Sequence, residues 1–290
     1  MATCKIAYYS LGGTTARVVE SVASGLRRSG YNVDLERIDG GGPIDLDNCA
    51  LFGIGTPAYY YRPPFIVTDF LRQLPALKDI PSFVIVLHGT YQGTTGNRVR
   101  RSLRRKGAQI VDTLTCFGED YYFGYLDEGY LFSPGHPTEE ELEQAEQFGR
   151  NVAEKTSRGE FLTPSKDPPL GFVYQMERLT LNRFVVQQVL SRLFHADRDK
   201  CTSCGVCITG CPTGNITLAS EGKPEWGRQC LLCLNCQLCC PEEAITSPVT
   251  WPGFDLTSKY NVRQASRDPG LEYIRVVQKQ GRTRRIPSGK

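Results

Sequence analysis

Apolar and polar positions in the first half of the chain follow two alternating periods. Runs or alternations of apolar residues predict strands at residues 5–9, 32–38, 50–54, 82–88 and 109–115. Between them, helical spacing of apolar residues predicts helices at residues 14–28, 64–74 and 97–106. Strands that alternate with helices predict an α/β domain with a parallel sheet covered on both faces. Ligands of such sheets bind beyond the carboxyl ends of the strands.

A capping box predicts the start of the last helix of this half. The Thr138 hydroxyl and Glu141, three residues later, can each satisfy a backbone N–H at the helix start, and the acids at 139–141 suit the positive end of the helix dipole. We divide the chain into residues 1–157 (the α/β domain), 158–194 (a linker and connecting helix), 195–247 (a cysteine-rich domain) and 248–290 (a basic extension without clear periodicity). The connecting helix carries one apolar stripe, formed by Phe172, Met176, Leu179, Val186, Leu190 and Leu193.

Composition describes a globular protein. The 290 residues are 40% hydrophobic and 22% charged, with a formal net charge of +3. No stretch approaches the roughly twenty apolar residues of a membrane span, and the start does not resemble a signal peptide, so we expect a cytoplasmic protein. The basic C-terminal stretch, residues 275–290, contains no acidic residue. Either it docks on an acidic partner or anionic lipid, or it is a solvated terminus. Its basic residues are Arg275, Lys279, Arg282, Arg284, Arg285 and Lys290.

Nine of the twelve cysteines lie between Cys201 and Cys240 and form two copies of one spacing, C-x2-C-x2-C-x3-C-P. This spacing is the bacterial ferredoxin signature for two 4Fe-4S clusters, in which the fourth cysteine of each run binds the cluster of the other run. We therefore predict one cluster on Cys201, Cys204, Cys207 and Cys240. The second is predicted on Cys230, Cys233, Cys236 and Cys211.

Other uses of the cysteines fit less well. Structural zinc usually takes ligands in pairs separated by a longer stretch, and disulfide scaffolds occur in short secreted chains. Two details break the repeat: Gly205 in the first run corresponds to Leu234 in the second, and Cys239 has no assigned ligand role. We interpret Cys239 as a buried spare thiol.

The loop after the first strand has the composition of a phosphate site. It precedes a helix, whose free N–H groups and dipole favour an anion, and it has neither a Walker lysine nor a G-x-G-x-x-G motif, which favours a monophosphate. A plain strand-to-helix turn fits this loop alone equally well. The candidate contacts are Ser10, Gly12, Gly13, Thr14 and Thr15.

Two further loops at the same predicted sheet edge combine glycine, small hydroxyl groups and tyrosines, as a planar ring system requires on its two faces. Together with the phosphate loop they predict FMN. His88 could contact the flavin, although a single histidine at the end of a strand is more often a structural residue. Arg62 could stabilise an anionic reduced flavin, but we interpret it as a solvated loop residue. The candidate contacts are Thr56, Pro57, Ala58 and Tyr59 in one loop, and Gly89, Thr90, Tyr91 and Gly93 in the other.

The chain resembles, over nearly its whole length, the EFR-type flavodoxin–ferredoxin fusions. The stretches that carry the resemblance are YYSLGGTT, GTPAYYYRPP, HGTYQG, CTSCGVCITGCPTGNITL and KPEWGRQCLLCLNCQLCCPEEAI. The resemblance implies a flavodoxin-like, doubly wound parallel sheet of strand order 2-1-3-4-5 that binds FMN, and a small α+β ferredoxin-like domain with two 4Fe-4S clusters. The chain departs from the family at the phosphate loop, where S-x-T-G-N-T is replaced by SLGGTT.

These features predict an electron-transfer protein that relays low-potential electrons between its clusters, FMN and a partner redox protein, alone or as a subunit of a larger complex. The basic run 98–106 or the basic C-terminal stretch would dock the partner. The alternative is an FMN and iron–sulfur oxidoreductase whose flavin reduces a small organic substrate directly. No convincing acid–base pair accompanies the flavin loops, which favours the carrier. Nothing in the sequence indicates nucleic-acid binding.

Overall fold

The computed structural model of the protein describes residues 1–42, 44–165, 171–220, 222–279 and 282–285. The chain forms two compact units. Unit 1 comprises residues 1–119 and 135–172, and unit 2 comprises residues 120–134 and 173–290. The chain therefore leaves unit 1 for the fifteen residues 120–134, which we call the excursion, and then returns to unit 1. The division of the sequence into consecutive segments contains no such excursion.

The described part of unit 1 has a five-stranded sheet of order β2-β1-β3-β4-β5. Every neighbouring pair is parallel. The predicted flavodoxin-like strand order is confirmed. The strands are β1 (Thr3–Tyr8), β2 (Asn32–Arg37), β3 (Cys49–Pro57), β4 (Pro81–His88) and β5 (Gln109–Phe117).

Helices cover both faces of this sheet. Successive side chains of β4 point to opposite faces, and those on both faces are buried. Ile85 and Leu87 belong to the core cluster under two of the helices, whereas Val86 lies beside Gly96 of a third. Gly25 and Gly149 let the first and last helices approach closely, since a Cβ on either would overlap backbone of the opposite helix. The helices of unit 1 are α1 (Thr14–Arg28), α2 (Phe65–Gln73), α3 (Thr95–Arg105) and α5 (Glu139–Arg158).

Helix α5 begins as its sequence predicts. The Glu141 backbone N–H donates to the Thr138 hydroxyl at 3.2 Å, and the Thr138 N–H donates to the Glu141 carboxylate at 2.7 Å. Both halves of the capping box are present. Gly159 ends the helix in the left-handed conformation that suits glycine.

The predicted connecting helix is divided into three pieces. Helix α6 (Phe172–Thr180) is followed by a π-helical turn (Val185–Val189) and a 3-10 turn (Leu190–Leu193). Met176 and Leu179 are exposed, whereas Val186 and Leu190 are buried. The stripe predicted on one helical face therefore does not lie on one surface.

The cysteine-rich part of unit 2 shows its duplication. Each cysteine run contains a one-turn helix, and each is followed by short strands; the antiparallel pairs are β8 with β9 and β7 with β10. The elements are β7 (His195–Ala196), α7 (Val206–Thr209), β8 (Ile216–Leu218), β9 (Pro224–Trp226), α8 (Asn235–Leu238) and β10 (Ile245–Thr246).

The excursion and the C-terminal extension pack together as one small substructure within unit 2. The excursion contains α4 (Phe123–Asp127) and β6 (Tyr130–Phe132), and the extension contains α9 (Pro252–Ala265), β11 (Tyr273–Lys279) and β12 (Arg282–Arg285). The strands form an antiparallel sheet of order β12-β11-β6. Tyr125 and Phe132 pack with Val262 and Ala265 of α9. Residues 248–290, left without assigned structure by their sequence pattern, thus contain regular elements.

Part of the basic C-terminal stretch has a structural role. The Arg275 guanidinium lies 4.0 Å from the centre of the Tyr130 ring, a cation–π contact. Lys290 lies outside the described residues. Among the helices that the structure describes, none is long and apolar enough to cross a bilayer.

Candidate functional site

Four cysteines from both repeats line one cavity in unit 2. Cys201, Cys204 and Cys207 come from the first run, and Cys240 closes the second run. The rest of the wall is mainly carbon, contributed by Val206, Ile208, Leu218, Pro224 and Ile245 among others. These are the four cysteines predicted to share a cluster.

The other four predicted ligands influence one another electrostatically. Burial, and then negative charge on Cys211, raises the pKa of Cys230 to about 11. Burial first, and charge on Cys230 and Cys211 next, raises the pKa of Cys233 to about 12. The pKa of Cys236 is also raised, by burial and then by Cys233. Cys211, the last cysteine of the first run, therefore lies beside the cysteines of the second run.

Backbone amides donate to several of these sulfurs. The N–H of Asn215 lies 3.3 Å from Cys211 Sγ, that of Leu232 3.3 Å from Cys230 Sγ, and that of Ala244 3.4 Å from Cys240 Sγ. The first and third of these bonds occupy equivalent positions in the two repeats. Such donors stabilise negative charge on sulfur, as a thiolate ligand requires.

Trp226, in the KPEWG stretch, belongs to the surroundings of the second cysteine group. Its ring stacks on Phe194 with ring centres 5.7 Å apart. The buried indole nitrogen has no hydrogen bond of ordinary geometry within the described residues, yet it lies close enough to Cys236 to lower the pKa of that thiol. The indole N–H is thus positioned beside a predicted ligand.

These observations fit clusters. In the described part of the chain, no three His, Cys, Asp or Glu side chains are close enough to hold a single metal ion. Thiolates that hold a cubane stand around a multi-iron core, as the four thiols of the cavity stand around a space. Burial raises the pKa values of Cys207, Cys230, Cys233 and Cys236, so bound metal would have to stabilise these groups as thiolates.

Cys239 is half-buried and has a packing role. Its thiol hydrogen lies near the Cys236 carbonyl, with 3.6 Å between sulfur and oxygen. Gly210 occupies the equivalent place in the first repeat, and a Cβ there would stand 3.5 Å from Cys239 Sγ. The sulfur therefore fills the space beside this glycine, between α7 and α8. Burial raises the pKa of Cys239 to about 11, so the group is a neutral thiol at neutral pH.

In unit 1, the loop after β1 is compatible with phosphate. Ser10 is buried, and its hydroxyl accepts a hydrogen bond from the Ala16 N–H at 3.3 Å. Gly13, with a φ of +89°, is the N-cap residue of α1, and the space above Gly12 and Gly13 is open. Because the first N–H groups of a helix have no intrahelical acceptor, those of Thr14 and Thr15 are suited to an anion.

The loops after β3 and β4 are joined to each other. Tyr59 and Arg62 exchange two backbone hydrogen bonds, of 2.8 and 3.1 Å, around a turn in which Tyr60 and Tyr61 have φ values of +49° and +62°. This conformation costs non-glycine residues about 1–2 kcal/mol each. Gly93 lies so close to Tyr61 that a Cβ would overlap it. The next residue, Thr94, donates its N–H to the Tyr61 carbonyl at 2.9 Å.

The strand order brings the three predicted flavin loops to one edge, since β1, β3 and β4 are adjacent and parallel. Tyr91 is exposed, whereas Thr56 is fully buried and donates its hydroxyl to the Pro57 carbonyl at 3.0 Å. The Tyr59 ring lies edge-on to the Tyr9 ring, with centres 6.2 Å apart. The individual flavin contacts remain predictions.

Two basic residues near these loops, Arg62 and His88, make contacts within unit 1. Arg62 is buried and lies over the Phe65 ring at 4.7 Å, so its interpretation as a solvated residue is wrong. The His88 ring nitrogen is 3.1 Å from the Thr90 carbonyl, and its ring lies edge-on to Phe117. Burial lowers the pKa of His88, so the ring is neutral at neutral pH.

Much of the basic run 98–106 is engaged within unit 1. Arg100 donates to Thr113 at 2.9 Å, Arg104 to the Leu162 carbonyl at 2.9 Å, and Lys106 to the Arg72 and Leu74 carbonyls. Arg101 and Arg105 are exposed. The helix thus offers less of its charge to a partner than the sequence alone indicates.

Comparison with known proteins identifies one module. Residues 195–217, which include the whole first cysteine run, match a 4Fe-4S binding domain. Curated proteins give no match to the chain. The match supports at least one 4Fe-4S cluster, in a chain that also carries a flavodoxin-like sheet.

Solved structures similar to this chain include flavodoxins. An archaeal flavodoxin has 14% identity, with 53% of this chain and 99% of that chain covered and a TM-score of 0.40. The two-electron reduced flavodoxin of Megasphaera elsdenii has 17% identity, coverage of 52% and 98%, and a TM-score of 0.40. Rubredoxin oxygen:oxidoreductase from Desulfovibrio gigas has 14% identity, coverage of 55% and 37%, and a TM-score of 0.41. The strand order β2-β1-β3-β4-β5 of the parallel sheet identifies the fold of unit 1 as flavodoxin-like.

Crossed ligation predicts which cysteine substitutions resemble each other. Cys211→Ser should alter the same reduced-cluster EPR signal as Cys233→Ser, and Cys240→Ser the same signal as Cys204→Ser, because each pair serves one cluster. Cys239→Ser is the control and should leave both signals in place. If Cys211→Ser instead resembled Cys204→Ser, each run would hold its own cluster and the crossing would be wrong.

Proposed function

We propose that this protein relays low-potential electrons between two 4Fe-4S clusters and FMN, to or from a partner redox protein, in the manner of the EFR-type flavodoxin–ferredoxin fusions. The principal support is the cavity in which Cys240 joins Cys201, Cys204 and Cys207. That grouping corresponds to the crossed ligand set of a two-cluster ferredoxin. The second set is Cys230, Cys233, Cys236 and Cys211.

The two kinds of cofactor complement each other, since a cluster carries electrons one at a time and a flavin carries one or two. The chain contributes the surroundings. Amide donors at Cys211, Cys230 and Cys240 stabilise the thiolates, and the apolar residues between the cysteines limit access of water, which disfavours added negative charge and lowers the potential.

FMN would be held by the three loops at the edge formed by β1, β3 and β4. The open backbone at Gly12 and Gly13 suits its phosphate, with hydroxyl donors from Thr14 and Thr15. The turn at Tyr59 and the exposed Tyr91 supply aromatic surface for the ring system. The departure of this loop from the family's usual sequence keeps its hydroxyl groups and a glycine.

The flavin site can be tested at Gly12, where a side chain meets no neighbour within 4 Å. Gly12→Asp should greatly reduce the FMN content of the purified protein, because a carboxylate repels the phosphate. Gly12→Asn has nearly the same shape without the charge and should retain more flavin. Equal FMN content in the two variants would contradict a phosphate at this loop.

The carrier role can be tested by reducing the isolated, cluster-loaded protein anaerobically and mixing it with redox proteins and with small organic acceptors. A carrier should reoxidise rapidly with a protein partner and turn over no small organic molecule by itself, since no acid–base pair accompanies the flavin loops. Sustained reduction of such a molecule by the isolated chain would instead establish an enzyme. The proposed location is the cytoplasm.

A further inference from the structure

We propose that the two clusters have different roles: the cluster on Cys201, Cys204, Cys207 and Cys240 exchanges electrons with the partner at the surface, and the other is an internal station shielded from water. This inference rests on the proposed two-cluster function. It follows from four positions at which the otherwise similar cysteine runs differ in size, polarity and exposure.

The four positions are leucines in the second run and small or hydroxyl-bearing residues in the first. Because the two runs have the same spacing of cysteines, each of these leucines has one equivalent residue in the first run. Three of the leucines, Leu231, Leu232 and Leu234, are at most 6% exposed. The pairs are Thr202 with Leu231, Ser203 with Leu232, Gly205 with Leu234, and Thr209 with Leu238.

Two of these leucines adopt a backbone conformation that leucine disfavours. Leu232 and Leu234 have φ values of +55° and +59°, close to those of Ser203 (+58°) and Gly205 (+76°) in the first run. The duplicated loop therefore keeps its backbone path in both copies. A glycine would be less strained at position 234. The strained leucines are retained where they are buried, which indicates that their apolar volume has a function there.

The fourth leucine connects the second run to the rest of unit 2. Leu238 packs against Leu126 and Leu131 of the excursion and Val276 of the C-terminal extension. Its counterpart Thr209 is exposed. The excursion and the extension thus cover this position of the second run, whereas the equivalent position of the first run is open.

The first run lies at the surface. Thr202, Ser203 and Cys204 are exposed, and Val206 is 39% exposed. No charged side chain occurs from Cys201 to Cys211. A partner that approaches the tip of this loop meets hydroxyl groups and one valine, and next to them exposed charges of both signs at Asp199, Lys200 and Glu242. Its contact surface should therefore place a small uncharged patch around its own electron-exchanging cofactor, with polar groups outside that patch.

A difference in shielding produces a difference in potential. An apolar shell disfavours the additional negative charge of a reduced cluster, so the shielded cluster should be harder to reduce. We expect the reduction equilibria of the two clusters to differ by roughly tenfold or more, which is about 59 mV for one electron.

The test uses the full chain, prepared anaerobically, with reduced clusters observed by EPR. Signals are assigned with Cys204→Ser and Cys233→Ser, each of which alters one cluster. A soluble dysprosium chelate is then added, because a paramagnetic ion in solution accelerates spin relaxation of centres near the surface. The signal altered by Cys204→Ser should respond strongly, and the signal altered by Cys233→Ser weakly.

Exchanging the loop residues between the runs should reverse these responses. The double variant Leu232→Ser with Leu234→Gly should make the second cluster responsive and raise its potential towards that of the first. The reciprocal Ser203→Leu should shield the first cluster, and it decides the question if the double variant does not fold. Leu256→Ser, at an exposed leucine of α9, is the control and should change neither signal.

Equal responses of the two signals in the unaltered protein would overturn this inference and leave the two-cluster function intact. A stronger response from the cluster of the second run would also overturn it. Protein without two cluster signals would instead overturn the proposed function, and this inference with it.

Discussion

Holding thiolates in an apolar interior is the physical requirement on which unit 2 depends. Burial raises the pKa of the Cys230 and Cys233 thiols, so at neutral pH these groups keep their protons unless positive charge is bound beside them. Amides at positions equivalent in the two repeats donate to Cys211 and Cys240. Much of the stability of the loaded unit is therefore expected to come from metal binding.

The two sequence segments that look least regular complete this arrangement. The excursion of residues 120–134 pairs with the C-terminal extension through β6 and β11, and their buried residues pack against Leu238 of the second cysteine run. Both segments thus help to form the surroundings of one cysteine run. The other run keeps its hydroxyl-bearing loop at the surface, which produces an asymmetry within a duplicated motif.

Local patterns predicted the local structure well. Helix α1 has the predicted bounds. The capping box at Thr138 is present, and it was predictable because its two residues are only three positions apart in the sequence. The strand order was implied by family resemblance. The crossed ligation of the two clusters stays a prediction from the spacing of the cysteines. The structure places Cys240 in one cavity with Cys201, Cys204 and Cys207.

Features that depend on distant pairing were not predictable in this way. Strand β6 has three residues and is paired with a strand far along the chain, so no periodicity within it reveals the partner. The buried state of Arg62 depends on the ring of Phe65 and on a turn made by two tyrosines in the left-handed region. Tyrosine is rare in that conformation, so the sequence contains no ordinary turn signal there.

The proposed function requires that eight thiolates hold two cubanes. Iron and acid-labile sulfide should be measured, with zinc, in protein purified and kept without oxygen. Two 4Fe-4S clusters require about eight iron and eight sulfide per chain, and little zinc. About four iron together with stoichiometric zinc, or no sulfide, would show that the eight thiolates do not hold two cubanes.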